Sequence, residues 1–90
     1  MTRTELSPKR IIIDVRSEGE FLSGSAIGAI NIPLNEIENR ADEIAAMEGE
    51  IILCCASGNR SGMAQHLLAM KNIETHNGGS WISANNFQTV

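Results

Sequence analysis

Cys54-Cys55-Ala56-Ser57-Gly58-Asn59-Arg60-Ser61 sets two thiols at the end of an apolar run and follows them with small, turn-prone residues. A thiol does its chemistry as a thiolate, which needs a place where negative charge is stabilised. Ile51-Ile52-Leu53-Cys54 reads as a short buried strand, and Ser61 to Met70 carries Ala64, Leu67 and Leu68 at the i, i+3, i+4 spacing of an amphipathic helix. The loop between them therefore leads into a helix N-terminus. There the first amides lack intrahelical partners and the dipole favours an anion. Cys55 is the candidate nucleophile, its pKa expected to fall from about 8.5 toward the ~3.5 to 7.5 range of such positions. Ala56, Ser57, Gly58 and Asn59 permit tight curvature and leave their amides uncovered, so with Arg60 they form a candidate anion-binding loop, supported by Ser61. The competing reading of Cys55 is a small hydrophobe packed in a core.

Cys54 is a rival nucleophile, because Cys54-x5-Arg60 has the spacing of protein tyrosine phosphatases. In that pattern glycine stands three after the cysteine and arginine three after the glycine. Here Gly58 is three after Cys55 and Arg60 only two after Gly58, which leaves a loop one residue shorter than a phosphate cradle. Cys54 is accordingly expected in the core. Arg60 either forks onto a substrate oxyanion or pairs with a carboxylate such as Asp14 and pins the loop. Asp14 and Arg16 are read as supporting residues, either on the rim or as ion-pair partners of each other, with the pair favoured. His66 falls opposite the apolar helix face and should meet solvent. His76 sits in a strand candidate, where a lone histidine more often packs than acts as a base. Vicinal cysteines and dispersed histidines lack zinc-site spacing, so no metal and no other cofactor is expected.

Those residues need elements to position them. Ile11-Ile12-Ile13-Asp14-Val15 is β-branched without alternation, as in a central parallel strand covered on both faces. Ser17 with Glu18, Glu20, Phe21 and Leu22 reads as a short helix capped by Ser17 and stopped by Gly24. Ala29 to Ile32 gives a short strand closed by Pro33. From Leu34 to Met47, Ile37, Ala41, Ile44 and Ala45 mark an amphipathic helical region broken near its start. Ile73 to His76 is the last strand candidate, with Gly78-Gly79-Ser80 as a flexible turn before Trp81. Met47, Met63 and Met70 are read as core filler, and Trp81 as a packing anchor rather than a lid. Alternating strands and helices imply an α/β domain with a small parallel sheet, whose ligands bind beyond the carboxyl ends of the strands. Asp14 to Arg16, Cys55 to Arg60 and Gly78 to Trp81 would converge there.

Ninety residues are expected to form a single domain over 1–90. The adjacent cysteines give no secreted disulfide framework, and no segment offers a signal sequence or eighteen consecutive apolar residues. The expected location is cytoplasmic, without a membrane partner. A net charge of −4 and only three aromatic residues argue against nucleic acid.

Taken together, Ile13-Asp14-Val15-Arg16-Ser17-x-x-Glu20-Phe21, Gly28-Ala29-Ile30-Asn31-Ile32-Pro33-Leu34, Cys55 to Ser61 and Gly78-Gly79-x-Trp81 resemble the rhodanese-like family. The resemblance runs from about Ile11 to Trp81 and looks like the single-domain sulfurtransferases, with a three-layer fold of sheet and flanking helices. It implies a Cys55 persulfide that carries sulfane sulfur from thiosulfate or a persulfide donor to a thiol or cyanide. It equally admits a carrier or interaction module in a sulfur relay and, more remotely, a phosphatase or arsenate reductase. The family commonly has Gly-His-Ile-Pro-Gly-Ala where this chain has Gly24-Ser25-Ala26-Ile27-Gly28-Ala29, so Ser25 replaces a usual histidine. Only about ten residues precede the first strand, where the family often has an extra strand and helix, so the N-terminal edge is expected to be trimmed.

Overall fold

The computed structural model describes residues 9–88. The β-branched run forms β1 (Arg10–Asp14), which lies inside a four-stranded sheet of order β2-β1-β3-β4, with β2 at Ile30–Asn31, β3 at Glu50–Cys55 and β4 at His76–Ser80. Every pairing is parallel. The carboxyl ends of β1, β3 and β4 therefore share one edge, and the register sets Asp14 beside Cys54 and Cys55 beside Ser80. Between the strands run α1 (Glu18–Leu22), a 3-10 turn at Leu34–Glu36, α2 (Ala41–Ala45) and α3 (Asn59–Ala69). The chain continues from β4 into α4 (Trp81–Ala84) and a second 3-10 turn at Asn85–Gln88.

Successive strand residues point to opposite faces, and this divides the core in two. Ile13, Val15, Ile51, Leu53 and Cys55 pack with Ile37, Ala41, Ile44, Ala64 and Leu68 beneath α2 and α3. Ile12, Ile52 and Cys54 pack on the other face with Ala26 and Ala84, and Trp81 closes over them. Burial of each of these isoleucines contributes about 1.5–3 kcal/mol relative to exposure. The sheet is thus covered on both sides, the three-layer α/β arrangement expected of the sequence, and Cys54 sits in the core as expected.

Ser17 caps α1 as expected, in a reciprocal box with Glu20: its hydroxyl accepts from the Glu20 amide and the Glu20 carboxylate accepts from the Ser17 amide at 3.1 Å. The helical region after Pro33 is broken, as its sequence implies, into the 3-10 turn and α2. Other boundaries differ. The second strand shrinks to Ile30–Asn31. The last strand begins where it was expected to end, at His76, and contains the Gly78-Gly79-Ser80 segment read as a turn. Ile73 instead serves the C-terminus of α3, its amide bonding the Leu68 carbonyl at 2.9 Å while Asn72 turns through φ 64°. Gly78 is a contact glycine: a Cβ there would lie 2.7 Å from Ile52 Cγ2. Met63 and Met70 are exposed rather than core, and only Met47 packs against the interior.

Candidate active site

Cys55 ends β3 with its side chain buried, and the chain turns back over it within three residues. The turn depends on Gly58, which adopts φ 101° and caps α3. In that conformation the Gly58 amide donates to Cys55 Sγ at 3.0 Å. Ser61, wholly buried in the first turn of α3, places its hydroxyl 3.6 Å from the same sulfur. Burial pushes the Cys55 thiol up, yet the Ser61 hydroxyl and the amides of Ser61, Gly58 and Ser57 outweigh it and bring the pKa down to about 7. On the other face of the same strand, burial and the neighbouring Asp14 charge push Cys54 up to about 12. The two adjacent thiols are thus displaced in opposite directions from the ordinary thiol value, Cys55 downward and Cys54 upward.

Asp14 and Arg16 form the mutual pair favoured by the sequence. Arg16 Nε reaches both Asp14 oxygens at 3.0 Å and its Nη2 reaches Oδ2 at 2.7 Å, all of it buried. Nη2 also donates to the Gly24 carbonyl at 2.7 Å, and the guanidinium lies 5.1 Å from the centroid of the Trp81 ring. The hydrogen bond to Asp14 raises the Arg16 pKa against the opposing effect of burial. Trp81 is the packing anchor expected. Asn31 steadies the turn after β1 by donating to the carbonyls of Asp14 and Arg16 at 3.0 and 2.9 Å.

Arg60 finds a different carboxylate from the one suggested by sequence. With Asp14 occupied by Arg16, its Nη1 and Nη2 bond the two oxygens of Glu20 at 2.7 and 3.0 Å. The Arg60 hydrogen bond, with those from Ser17, lowers the Glu20 carboxyl to about 2. The loop is thereby fastened to α1, and its guanidinium charge is matched by a carboxylate. Asn77 is the residue that sequence reasoning missed. Its Oδ1 accepts from the Ser61 hydroxyl at 2.7 Å and from the Gly79 amide at 3.0 Å, while Nδ2 donates to the Gly58 carbonyl at 3.1 Å. The signal available was an amide side chain just before the Gly-Gly pair. His66 is exposed, and His76 lies at the opposite edge of the sheet, 3.7 Å from Glu50. Among the described residues, no group of three or more His, Cys, Asp and Glu side chains is placed to hold a metal ion, and no helix is long and apolar enough to cross a membrane.

A buried low-pKa thiol ringed by loop amides can attack an electrophilic sulfur and hold the negative charge of the adduct. Compared with protein families, residues 3–82 match the Rhodanese-like domain. The chain belongs to the rhodanese-like family. Its relatives include the uncharacterised protein YqhL of Bacillus subtilis, 40% identical over 60 residues that span 67% of this chain and 47% of YqhL. The candidate sulfur carrier protein YrkF of the same organism is 43% identical over 53 residues, 59% of this chain and 28% of YrkF. The rhodanese-like chain thus spans under half the length of these curated relatives. Among solved structures, an E. coli rhodanese with anions superimposes with a TM-score of 0.75 at 27% identity, covering 83% of this chain and 91% of that one.

Proposed function

We propose that this rhodanese-like domain is a sulfurtransferase that carries sulfane sulfur as a persulfide on Cys55. The observation that carries the reading is the Gly58 amide 3.0 Å from Cys55 Sγ, in a loop that brings the thiol down to about 7. At neutral pH a large fraction of Cys55 is then thiolate without a general base. The thiolate attacks the outer sulfur of thiosulfate. A sulfur–sulfur bond forms on Cys55, the bond within thiosulfate breaks, and sulfite leaves with the bonding electron pair. A nucleophilic acceptor, a thiolate or cyanide, then attacks the terminal sulfur and regenerates the Cys55 thiolate. The amides that hold the thiolate also hold the negative persulfide. No metal or cofactor takes part, and a cytoplasmic setting would keep both cysteines reduced.

A second reading, a carrier loaded by a dedicated partner in a sulfur relay, is favoured by two observations. One is the similarity to the candidate carrier YrkF. The other is the Arg60 charge taken up by Glu20, which leaves less free positive potential for a small dianion. The loop, one residue short of the phosphate cradle, weighs against phosphatase chemistry.

The test is the intact mass of the reduced protein after incubation with thiosulfate, with Cys55→Ser and Cys54→Ser in parallel. Gain of one sulfur atom that survives Cys54→Ser, disappears with Cys55→Ser and is discharged by cyanide as thiocyanate supports the enzyme. Loading by a protein or small-molecule persulfide but not by thiosulfate selects the carrier. No loading by any donor defeats both.

A further inference from the structure

Ser61 has one hydroxyl proton and two acceptors. Cys55 Sγ is 3.6 Å from its oxygen and Asn77 Oδ1 only 2.7 Å. The orientation of the Asn77 amide is fixed independently, because its other contacts are of opposite kinds: the Gly58 carbonyl must face Nδ2 and the Gly79 N–H must face Oδ1. A flipped amide would oppose two acceptors at Gly58 and two donors at Gly79. While Cys55 is protonated the proton of Ser61 therefore points to Asn77, leaving its oxygen as an acceptor toward the thiol; the hydroxyl lowers the Cys55 pKa only by turning to donate to the thiolate.

We infer that Asn77 is a positioning residue that sets the ionisation of Cys55 by competing with its sulfur for the single hydroxyl proton of Ser61. Ionisation of Cys55 draws that proton from Asn77 to the sulfur, so each thiolate forms at the expense of a short hydrogen bond in the rest state. The thiol is consequently less acidic than the loop amides and a free Ser61 would make it. The remaining charges near Cys55 are committed elsewhere. Asp14 is paired with Arg16 at the end of β1, and Glu20 of α1 with Arg60 of α3. Cys54 of β3 is on the far face. Glu36 and Glu43 on the α2 side are held by Arg40, while Asp42 and His66 are exposed. β4 and α4 contribute only His76, at the distant start of β4 beside Glu50.

The inference rests on Cys55 being the reacting thiol, and its test is independent of sulfur transfer: titration of the full chain by thiolate ultraviolet absorbance. Asn77→Ala should lower the Cys55 midpoint by about half a pH unit or more, a rise of about threefold in thiolate at acidic pH. Ser61→Ala should titrate at or above the unaltered protein, and the Ser61→Ala, Asn77→Ala double variant should match Ser61→Ala. Asn77→Ser removes the same acceptor reach with a polar side chain and serves equally where alanine fails to fold. A midpoint that is unchanged or raised on loss of Asn77 overturns the inference, as does a fall that persists without Ser61. Sulfur loading followed by mass on the same variants is read separately, so failure of the transfer chemistry and failure of the proton competition give different results.

Discussion

Cys55 balances burial, which resists ionisation, against a ring of donors that favours it. The reactive form is the thiolate, so sulfur loading or alkylation should rise with pH through a midpoint near 7, fall about fivefold from pH 7 to pH 6, and level off above pH 8. Cys54, held near 12, should stay silent across that range. A rate profile with its midpoint at an ordinary thiol value would contradict this balance. Gly58 is the backbone element of the same device. Alanine there, at φ 101° and with its Cβ 3.4 Å from Gly79 Cα, should cost about 1–2 kcal/mol in backbone strain. Relief of that strain moves the amide off the sulfur, so Gly58→Ala should also shift the thiol midpoint upward and slow loading about tenfold or more. Urea unfolding and the same titration read the two effects separately.

At the scale of elements, α1 matters for what it holds rather than for what it buries, since none of its residues is fully buried. Glu20 caps the helix and pairs with Arg60, and its folded pKa of about 2 lies below its ordinary 4.5. A depressed carboxylate adds stability that is present above pH 4.5 and lost as pH falls toward 2. Glu20→Gln should therefore flatten the acid limb of a thermal-stability profile in that window and release Arg60 from α1. Between β3 and β4, Gly78→Ala drives a methyl into Ile52 and should cost about 1–3 kcal/mol, measurable by urea unfolding. That same glycine shows why parts of the chain resist reading. β1 and β3 were legible from their β-branched runs, and α1 from Ser17 and Glu20, because those signals are local. Gly78 and Gly79 carry the signature of a turn, and only the nearness of Ile52 makes a strand glycine necessary there. The loop and its cysteine were equally plain, whereas the partner of Arg60 and the part played by Asn77 depend on which elements meet in space. No spacing along the chain encodes that.

For the molecule as a whole, Arg16 joins the end of β1, the Gly24 carbonyl beyond α1 and Trp81 at the start of α4. Asp14→Asn leaves this buried guanidinium without its counter-charge and should destabilise the fold by about 3–5 kcal/mol in denaturant unfolding. A combined Asp14→Asn, Arg16→Met change should recover part of that loss. The division of β3 between the two core layers reaches further still. The chain has two cysteines, and they face opposite sides of one strand. A disulfide requires Cβ atoms about 3.5–4.5 Å apart with the sulfurs turned toward each other, so joining them means dismantling β3. Under the proposed sulfur transfer, sulfur loaded on Cys55 therefore has no second thiol within reach among the described residues. In that proposed reaction Cys55 is a single berth at which donor and acceptor call in turn. Under sulfur transfer, initial rates at several fixed acceptor concentrations should then give parallel lines in double-reciprocal form.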